Sequence, residues 1–511
     1  MDRRLLVVTA LLLAGLHLSS APRADASRLD AALRARARAP RGSSPVIIRS
    51  ATNLPIDDVV RRAGGVTIRT LGAGSVLASI PDGALARLAA DRRVASVSAD
   101  RLVISTAAAG GALARIARVP AGLGLDGSGV GVATIDSGIS AAHEVIAAGR
   151  LVHWMDFVSH LDVPYDDYGH GTHVAGIIAA SDGGERRGVA PGADLIVLKA
   201  LDGTGSGRVS DVIAAVDYAI ANRDRFNIRV INLSVAAGVY ESYRTDPLAQ
   251  AALRAVRAGI VVVAAAGNFG RTPEGEVQAG SIAAPGNAPW VLTVGASDDR
   301  GTADPADDVV ASFSSRGPTA IDGMSKPDLI APGVGVEAAA DPASALFALQ
   351  PLGRVWSDAR SGGLPSLRLS GTSMAAPIVA GTVALIAQAA PGLTPNAIKA
   401  ILEFTAEPRA GEDDAAQGTG LLNIRGAIAL ARQLSTHAGE RTVRDPPAGG
   451  TGTWSHRIIW GTQRVTGDLV APAMRAWDLD VPWGEDGSAT GEPVTWGALC
   501  APERTGCGVS R

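Results

Sequence analysis

The sequence predicts an α/β fold with a mostly parallel sheet and helices on both of its faces, preceded by a small α+β unit. Two patterns carry this prediction. From Gly129 onward, short runs that are apolar almost throughout alternate with stretches of helical periodicity, as expected for parallel strands covered on both faces. Within residues 45–105, three strand-like runs alternate with two helical ones, which is typical of a ferredoxin-like, split βαβ arrangement.

The N-terminus is predicted to be a secretory signal peptide over residues 1–26. Arg3 and Arg4 precede an apolar stretch, and Ala24-Asp25-Ala26 offers small residues for cleavage. The alternative is a membrane anchor, but the apolar stretch at 5–16 is shorter than the roughly 20 residues that a span needs. We therefore expect a secreted, extracellular protein without a membrane anchor, and no later segment that can span a bilayer.

The α+β unit is predicted over residues 45–108, after an Ala/Arg/Pro-rich linker at 27–44. Its expected strands and helices alternate, with strands at 46–49, 75–80 and 94–98 and helices at 56–63 and 82–90. Small residues from Ser105 to Gly111 follow the last strand. Such a run is a readily cleaved domain boundary.

The larger unit is predicted over residues 109–436. Its expected strands are the short apolar runs at 130–135, 195–199, 230–234, 260–265 and 291–294. Ser210 is expected to cap one of the intervening helices. Asp246-Pro247 is expected to begin another, which Gly259 ends.

The tail at 437–511 differs in composition from the rest of the chain. It holds five of the eight tryptophans, at Trp454, Trp460, Trp477, Trp483 and Trp496. These aromatic side chains either bind a surface or partner, or pack on the preceding unit. The only two cysteines, Cys500 and Cys507, can form a disulfide around a short loop in an exported protein.

The composition excludes several classes of protein. Apolar residues make up 47% of the 511 residues and charged residues 19%, which is typical of a globular chain rather than a disordered one. The net charge of −3 gives no electrostatic argument for binding nucleic acid or an anionic membrane. We therefore expect no nucleic acid partner.

Three polar motifs supply the residues that nucleophilic catalysis by a serine requires. Asp136 closes a predicted strand, His170 opens one helical pattern, and Ser373 opens another. Residues far apart in sequence meet in the cleft beyond the carboxyl ends of parallel strands. A serine hydroxyl needs a base to take its proton, and histidine suits that task when a carboxylate orients its ring.

Each of these residues alone also has a purely structural interpretation. Asp136 could cap a turn, and Ser373 could cap its helix. Asn268, a further polar residue after the apolar run at 260–265, could be a loop residue that tolerates an awkward backbone. His170 and His173 could be metal ligands or core residues, but the His-Glu-x-x-His pattern of a zinc protease is absent. A chain without catalysis would require all of these structural interpretations to be true at once. The catalytic interpretation is therefore favoured.

Taken together, the motifs resemble the subtilisin-like serine proteases (subtilases), of the secreted bacterial type with an inhibitory propeptide. The resemblance spans residues 119–434 and keeps the family's order of Asp, His and Ser. The matching segments are Asp136-Ser137-Gly138, His170-Gly171-Thr172-His173, residues 188–193, 266–268, 313–318 and 326–333, and Gly371-Thr372-Ser373-Met374-Ala375-Ala376-Pro377.

The resemblance implies a serine endopeptidase that acts on polypeptides through an acyl-enzyme intermediate. Asp136 would orient His170, His170 would act as general base and then acid, and Ser373 would be the nucleophile. Asn268 would form the oxyanion hole with the backbone N–H of Ser373, and His173 would be structural. The rival function is a catalytically silent homologue that only binds peptides.

The resemblance also implies two peptide-binding edges around the cleft. The implied substrate-binding residues are Gly203, Gly205, Ser206 and Gly207 on a glycine-rich edge, Ser234, Val235 and Ala236 on the facing strand, and Ala266 and Gly267. The alternative for the glycine-rich edge is a plain flexible turn. Ala236 stands where the family usually has glycine, which predicts a preference for small or medium side chains before the scissile bond. Residues 337–369 are long for the family and are predicted to be a surface insertion.

For residues 45–108 the resemblance implies an autoprocessed propeptide that transiently inhibits a monomeric enzyme; the alternative is a permanent N-terminal domain. The chemistry requires no cofactor. Structural calcium is a habit of the family, yet no local acidic cluster here has the spacing of a dedicated calcium loop. Asp304, Asp307 and Asp308 are as easily a solvated turn.

Overall fold

The polypeptide divides into two units between Ala99 and Asp100. The computed structural model describes residues 28–105, 107–109, 123–140, 143, 149–181, 187–302, 304–356, 364–436, 441–442, 453–466, 469–470 and 509–510. The signal peptide predicted at 1–26 lies outside the described residues. So do Cys500, Cys507, Trp477, Trp483 and Trp496.

The first unit contains an antiparallel sheet of four strands in the order β2-β3-β1-β4. Its elements are α1 (Ala31–Arg38), β1 (Ser43–Ser50), α2 (Asp57–Arg62), β2 (Val66–Thr70), β3 (Val76–Pro81), α3 (Leu85–Ala89) and β4 (Val94–Ala99). With β1 and β3 at the centre, the order of strands and helices is ferredoxin-like, as the sequence predicts, although β2 is a fourth strand that the sequence analysis did not identify.

The linker predicted at 27–44 is wrong for most of its length. Asp30 caps α1 by accepting a hydrogen bond from the Leu33 N–H at 2.7 Å. Leu29 and Leu33 are buried in the core of the first unit. The sequence composition misled the prediction, because alanine and arginine are also strong helix formers.

The second unit contains a central sheet of eight strands. The strands of this unit are β5 (Leu102–Ser105), β6 (Ala108–Ala109), β7 (Gly131–Asp136), β8 (Leu151–Asp156), β9 (Asp194–Lys199), β10 (Ser206–Arg208), β11 (Ile228–Leu233), β12 (Val235–Ala237), β13 (Val261–Ala265), β14 (Leu292–Asp298), β15 (Val309–Val310), β16 (Leu329–Pro332), β17 (Val336–Ala339), β18 (Arg354–Val355), β19 (Ser366–Ser370), β20 (Arg441–Thr442), β21 (Arg457–Trp460), β22 (Gln463–Thr466), β23 (Leu469–Val470) and β24 (Val509–Ser510). Strands β8, β9, β7, β11, β13 and β14 lie side by side and run parallel, and β16 continues the parallel pairing on β14. Among the described strands of this sheet, β15 alone pairs in the antiparallel sense. All five predicted strands are present.

Two pairs of helices pack against this sheet. The helices of the unit are α4 (His170–Ala179), α5 (Val209–Ala221), α6 (Pro247–Arg257), α7 (Ala345–Leu349), α8 (Thr372–Ala389), α9 (Pro395–Thr405), α10 (Asp414–Gln417) and α11 (Ile424–Thr436). Helices α4 and α8 contact each other, as do α5 and α6, and both pairs contact strands of the sheet. The mostly parallel α/β class is therefore confirmed.

The helix ends agree with the sequence at two of three positions. Asp246 caps α6 by accepting from the N–H groups of Leu248 and Ala249, and Gly259 follows its end with a φ of +85°. Ser210 is not the cap of α5. It lies in the first turn, and its N–H and hydroxyl both donate to the carboxylate of Asp100 at 2.9 Å.

Helix α8 corrects a second expectation. At 18 residues it is long and apolar enough to cross a membrane. The sequence analysis expected no such segment after the predicted signal peptide. In this fold 89% of it is buried. It packs against β11, β13, β14 and α4, so its apolar character is that of a core helix.

Residues 453–461 of the tail pack on helix α9 and on residues near it. The Ser455 hydroxyl donates to the carbonyl of Glu403 at 2.6 Å, and the Ser455 N–H donates to that of Ala406 at 2.7 Å. Trp454 is buried with its ring edge-on to Phe404, at a centroid distance of 6.1 Å. For Trp454 the structure thus favours packing on the rest of the second unit over binding to a surface or partner.

The tail also reaches a cluster of four buried charged side chains. Lys326 and Lys399 face Asp328 with N–O distances of 2.7 and 3.2 Å. Lys399 lies 3.8 Å from Glu403, whose carboxylate accepts the Ile459 N–H of the tail at 2.8 Å. Burial raises the pKa of Glu403 well above its usual range and lowers that of Lys326 to about 7. The tail therefore supplies a hydrogen bond that this cluster needs.

Removing the docked segment is expected to destabilise the second unit. A chain that ends at residue 452 loses the burial of Trp454, Ile458 and Ile459, which we expect to lower the free energy of unfolding by about 5 kcal/mol. A chain that ends at residue 466 keeps these contacts and is the matched control. The measurement is guanidinium chloride unfolding of both chains, and equal midpoints would contradict the structural role of the tail.

Candidate active site

Asp136 and His170 form a buried pair at the carboxyl edge of the sheet. Asp136 is the last residue of β7 and His170 the first of α4. The His170 Nδ1–H donates to Asp136 Oδ1 at 2.7 Å, and the same oxygen accepts the Ser137 N–H at 2.7 Å. Within the described part of the chain His170 Nε2 has no hydrogen-bond partner. The carboxylate thus fixes the ring and leaves Nε2 as the nitrogen that can exchange a proton.

Asp166, which the sequence did not single out, connects the two segments of this pair. Its buried carboxylate accepts the Ser137 hydroxyl at 2.8 Å and the N–H groups of Gly169 and Thr172 at 2.7 and 2.8 Å. The Thr172 hydroxyl adds a fourth hydrogen bond at 2.7 Å. Burial raises the pKa of Asp166, and these donors oppose that shift. One carboxylate thus holds the turn after Asp136 against the start of α4.

Lys199 is a second residue that sequence reasoning missed. It ends β9 beside Asp136 and is fully buried. Its ammonium donates to the Ser137 carbonyl at 2.5 Å and to Asp167 at 2.7 Å, and it lies 4.5 Å from the centre of the Tyr165 ring. A lysine directly after the apolar run at 195–198 was the available signal.

The turn after Asp136 approaches α4 so closely that glycine is required. A Cβ on Gly171 would lie 2.2 Å from the carbonyl oxygen of Gly138, and one on Gly138 would lie 2.1 Å from that of Tyr165. The φ of Gly138 is +126°. Both glycines of the matched motifs are therefore explained by backbone contact.

Ser373 is the second residue of α8 and is fully buried. Its hydroxyl donates to the Ser234 carbonyl at 3.1 Å, and the Ser234 hydroxyl donates back to the Ser373 carbonyl at 2.9 Å. These reciprocal bonds fix the start of α8 against the end of β11. The N–H groups of the first helical turn and the positive end of the helix dipole lie at this serine.

Asn268 lies beside the same turn. Its Oδ1 accepts the N–H and the hydroxyl of Thr372, both at 3.0 Å, and the Thr372 hydroxyl accepts the Gly267 N–H at 3.1 Å. Two donors on Oδ1 identify Nδ2 as the donor end of the amide. The Ala266 N–H donates to the Val294 carbonyl at 2.9 Å, so the loop is anchored on both sides of Gly267.

The residues predicted to bind substrate form two edges with a strand of this chain between them. β5 pairs antiparallel with β10, with Val103 opposite Gly207 and Ile104 opposite Ser206. β5 also pairs antiparallel with β12, with Ile104 opposite Ala236 and Ser105 opposite Val235. The Gly205 carbonyl accepts the Ser105 N–H at 2.9 Å. A peptide strand therefore fits between both edges.

Other predicted positions lie around this cleft. A Cβ on Gly203 would lie 2.9 Å from the carboxylate of Asp167. Ala236 is buried within β12, and the side-chain preference that it predicts stays a prediction. The expected insertion carries β17, α7, β18 and β19, and α7 donates the Leu346 N–H to the Tyr168 carbonyl two residues before His170.

His173, one turn after His170 on α4, is buried against the antiparallel strands β17 and β19. Its Nε2 lies 3.1 Å from the Val336 carbonyl and 2.9 Å from that of Leu367. Burial lowers the pKa of His173 to about 4. Among the residues that the structure describes, no three His, Cys, Asp or Glu side chains form a metal-binding group. Structural calcium stays a prediction.

Residues 127–427 match the family described as "Subtilase family". The chain belongs to the subtilase family. As a member of it, the chain is a serine endopeptidase, as the motif resemblance predicts. Serine protease AprX of Bacillus subtilis (strain 168) is 42% identical over 312 residues, which are 60% of this chain and 67% of that protein.

Two further comparisons agree with this assignment. Subtilisin DY of Bacillus licheniformis is 33% identical over 305 residues, 60% of this subtilase and 92% of the relative. The crystal structure of fervidolysin from Fervidobacterium pennivorans, a keratinolytic enzyme related to subtilisin, aligns with a TM-score of 0.59 at 23% identity. That alignment covers 84% of this chain and 67% of the other, and it shows a shared fold.

Replacing Asp166 by asparagine is expected to lower the kcat of the subtilase about 10²-fold with a small change in KM, because the turn and α4 lose their common acceptor. The measurement is hydrolysis of a peptide substrate. The matched control is Asp156→Asn, since Asp156 is a buried carboxylate that binds the N–H groups of Val158 and Ser159. Equal kcat values in the two variants would contradict the positioning role of Asp166.

His173 is expected to make the fold sensitive to acid. Because its pKa is 6.5 when unshifted and about 4 in the fold, the unfolded chain takes up a proton first as the pH falls. The stability is complete above about pH 6.5, and about 3 kcal/mol is lost as the pH falls to about 4. We expect His173→Gln to flatten this part of the unfolding free energy plotted against pH. Parallel curves for both proteins would assign the sensitivity to other groups.

Proposed function

We propose that this subtilase hydrolyses peptide bonds with Asp136, His170 and Ser373 as its catalytic triad and with Asn268 in the oxyanion hole. The observation that carries the proposal is the 2.7 Å hydrogen bond from His170 Nδ1 to Asp136. It sets the tautomer that leaves Nε2 unprotonated, as a general base requires.

In the first step, His170 Nε2 takes the proton of the Ser373 hydroxyl while the serine oxygen bonds to the substrate carbonyl carbon. The carbonyl oxygen becomes negative and accepts hydrogen bonds from Asn268 Nδ2 and the Ser373 N–H. The imidazolium then gives its proton to the leaving amine as the C–N bond breaks. Asp136 remains ionised throughout and stabilises the charged ring.

In the second step, a water molecule attacks the acyl-enzyme. His170 takes its proton and returns one to Ser373 as the acid product leaves. The tetrahedral oxyanion forms again at the same donors, so one arrangement serves both steps. Thr372 supports it by holding Asn268 through Oδ1.

We further propose that residues 45–108 are an inhibitory propeptide that the enzyme cuts from itself. The pairing of β5 with both edges of the cleft supports this, because a substrate peptide would use the same main-chain groups. β6 pairs with β19, with Ala108 opposite Ser370. The chain between β5 and β6 thus leads from the substrate edges to the strand that precedes Ser373, which supports cleavage between Ser105 and Ala109.

The same proposal includes export of the enzyme. The predicted signal peptide at 1–26 would direct the precursor out of the cell. A secreted, extracellular and monomeric mature enzyme, starting near residue 109, would then act on polypeptides. The catalytic domain would extend to 436 as predicted, with residues 453–461 docked on it.

Ser373→Ala is expected to leave the precursor uncut, because the nucleophile of self-cleavage is absent. The measurement is intact mass and N-terminal sequencing of the protein from a host that lacks other proteases. The wild-type chain, expressed in parallel, should begin near residue 109 and react with a fluorophosphonate at Ser373. A variant that still loses its first 105–109 residues would contradict self-cleavage. A correctly matured wild type that resists labelling would favour the silent, peptide-binding homologue.

A further inference from the structure

The residue immediately before β5, Arg101, lies in a buried site of its own. Its Nη2 contacts Asp246 Oδ2 at 2.5 Å, and its Nη1 donates to the Gly238 carbonyl at 2.9 Å. The guanidinium carbon lies 5.6 Å from the centre of the Tyr240 ring. Arg101 is 8% exposed and Asp246 is fully buried. A carboxylate, a main-chain carbonyl and an aromatic ring therefore converge on this guanidinium.

Asp246 is held in place independently of Arg101. Its Oδ1 accepts the N–H groups of Leu248 and Ala249 at 2.9 and 3.0 Å and so caps α6. This leaves Oδ2 as the oxygen that faces the guanidinium. A buried carboxylate that loses its cation carries a large desolvation penalty. When β5 leaves the cleft, the site will favour another cation at the same place.

The geometry selects arginine over lysine. The two acceptors, Asp246 Oδ2 and the Gly238 carbonyl, belong to different segments and each receives a separate terminal nitrogen of the fork. The flat guanidinium also lies near the Tyr240 ring, which is half exposed at 52%. An ammonium group is a compact point charge and cannot span both acceptors in this way.

The register of β5 fixes where this site lies along a bound peptide. Ser105 bonds Gly205, Val103 faces Gly207, and Arg101 lies four residues before Ser105. An extended substrate that pairs with the same two edges brings its corresponding residue to Asp246. The site therefore reads a position well upstream of the scissile bond.

We propose that Gly238, Tyr240 and Asp246 form a subsite that selects polypeptide substrates with arginine at the position of Arg101. This inference rests on the proposed function, since it requires substrates to occupy the cleft as β5 does. The same guanidinium chemistry has two sources, Arg101 of the proposed propeptide and an arginine of the substrate. Both bind at this subsite in turn, and the arginine of the substrate sets specificity.

The test uses the mature enzyme and quenched fluorescent peptides that copy residues 98–112 of this chain. Four peptides carry Arg, Lys, Met or Glu at position 101. We expect kcat/KM for the arginine peptide to exceed that for methionine about ten-fold or more, as charged hydrogen bonds imply. Lysine should lie between these two, and glutamate should be lowest. Because the enzyme is unaltered, this comparison does not depend on the folding of a variant.

Asp246→Asn keeps a side-chain oxygen that can cap α6 but removes the charge. We expect the ratio of kcat/KM for the arginine and methionine peptides to fall towards one. The matched control is Asp217→Asn, because Asp217 pairs with Arg254 between α5 and α6 rather than with Arg101. This variant should keep the wild-type ratio.

Three outcomes separate the proposals. Equal hydrolysis of the arginine and methionine peptides, abolished by Ser373→Ala, would overturn the subsite and leave the proposed function standing. No hydrolysis of any peptide by correctly matured enzyme would overturn the proposed function itself. If Arg101→Met in the full precursor hastens the appearance of activity while the peptides show no preference, the site binds the proposed propeptide alone and does not set substrate specificity.

Discussion

A single buried carboxylate, that of Asp166, receives hydrogen bonds from the turn after Asp136 and from the first residues of the helix that carries His170. The 2.7 Å contact between Asp136 and His170 joins a strand end to a helix start, and neither segment alone fixes the other. In a dry interior, hydrogen bonds to a carboxylate are strong and directional. Asp166 therefore fixes the main chain around Asp136 and His170, and this main chain in turn fixes the orientation of the histidine ring.

The fold was predictable, and the proposed catalytic residues could be singled out, because their signals are local. Apolar runs revealed the parallel strands, and short motifs at strand and helix ends revealed Asp136, His170 and Ser373. Residues whose role depends on tertiary contacts were not predictable in this way. Asp166 resembles any polar turn residue, and Ser210 resembles a helix cap until Asp100 is seen to occupy that role. Even α1 has the composition of a linker, and only the burial of Leu33 shows otherwise.

The tail illustrates the same limit. Its tryptophans have no periodicity, so the sequence left display and packing equally open. Packing of Trp454 depends on Phe404, and the hydrogen bond from Ile459 depends on the buried carboxylate of Glu403, a residue of α9. Both partners lie more than 40 residues earlier in the chain. Long-range pairing of this kind leaves no trace in composition or spacing.

The position of β5 has a consequence for timing. Its paired residues, Leu102–Ser105, all lie before the proposed cut, so cleavage breaks a covalent bond without removing any of the main-chain pairing. Arg101 likewise keeps its contact with Asp246. Under the proposed self-cleavage, cutting and activation would be separate events, and the second would be the departure of a strand from a sheet. The proposed precursor would then pass through a state in which its peptide bond is already cut but its cleft is still occupied by β5.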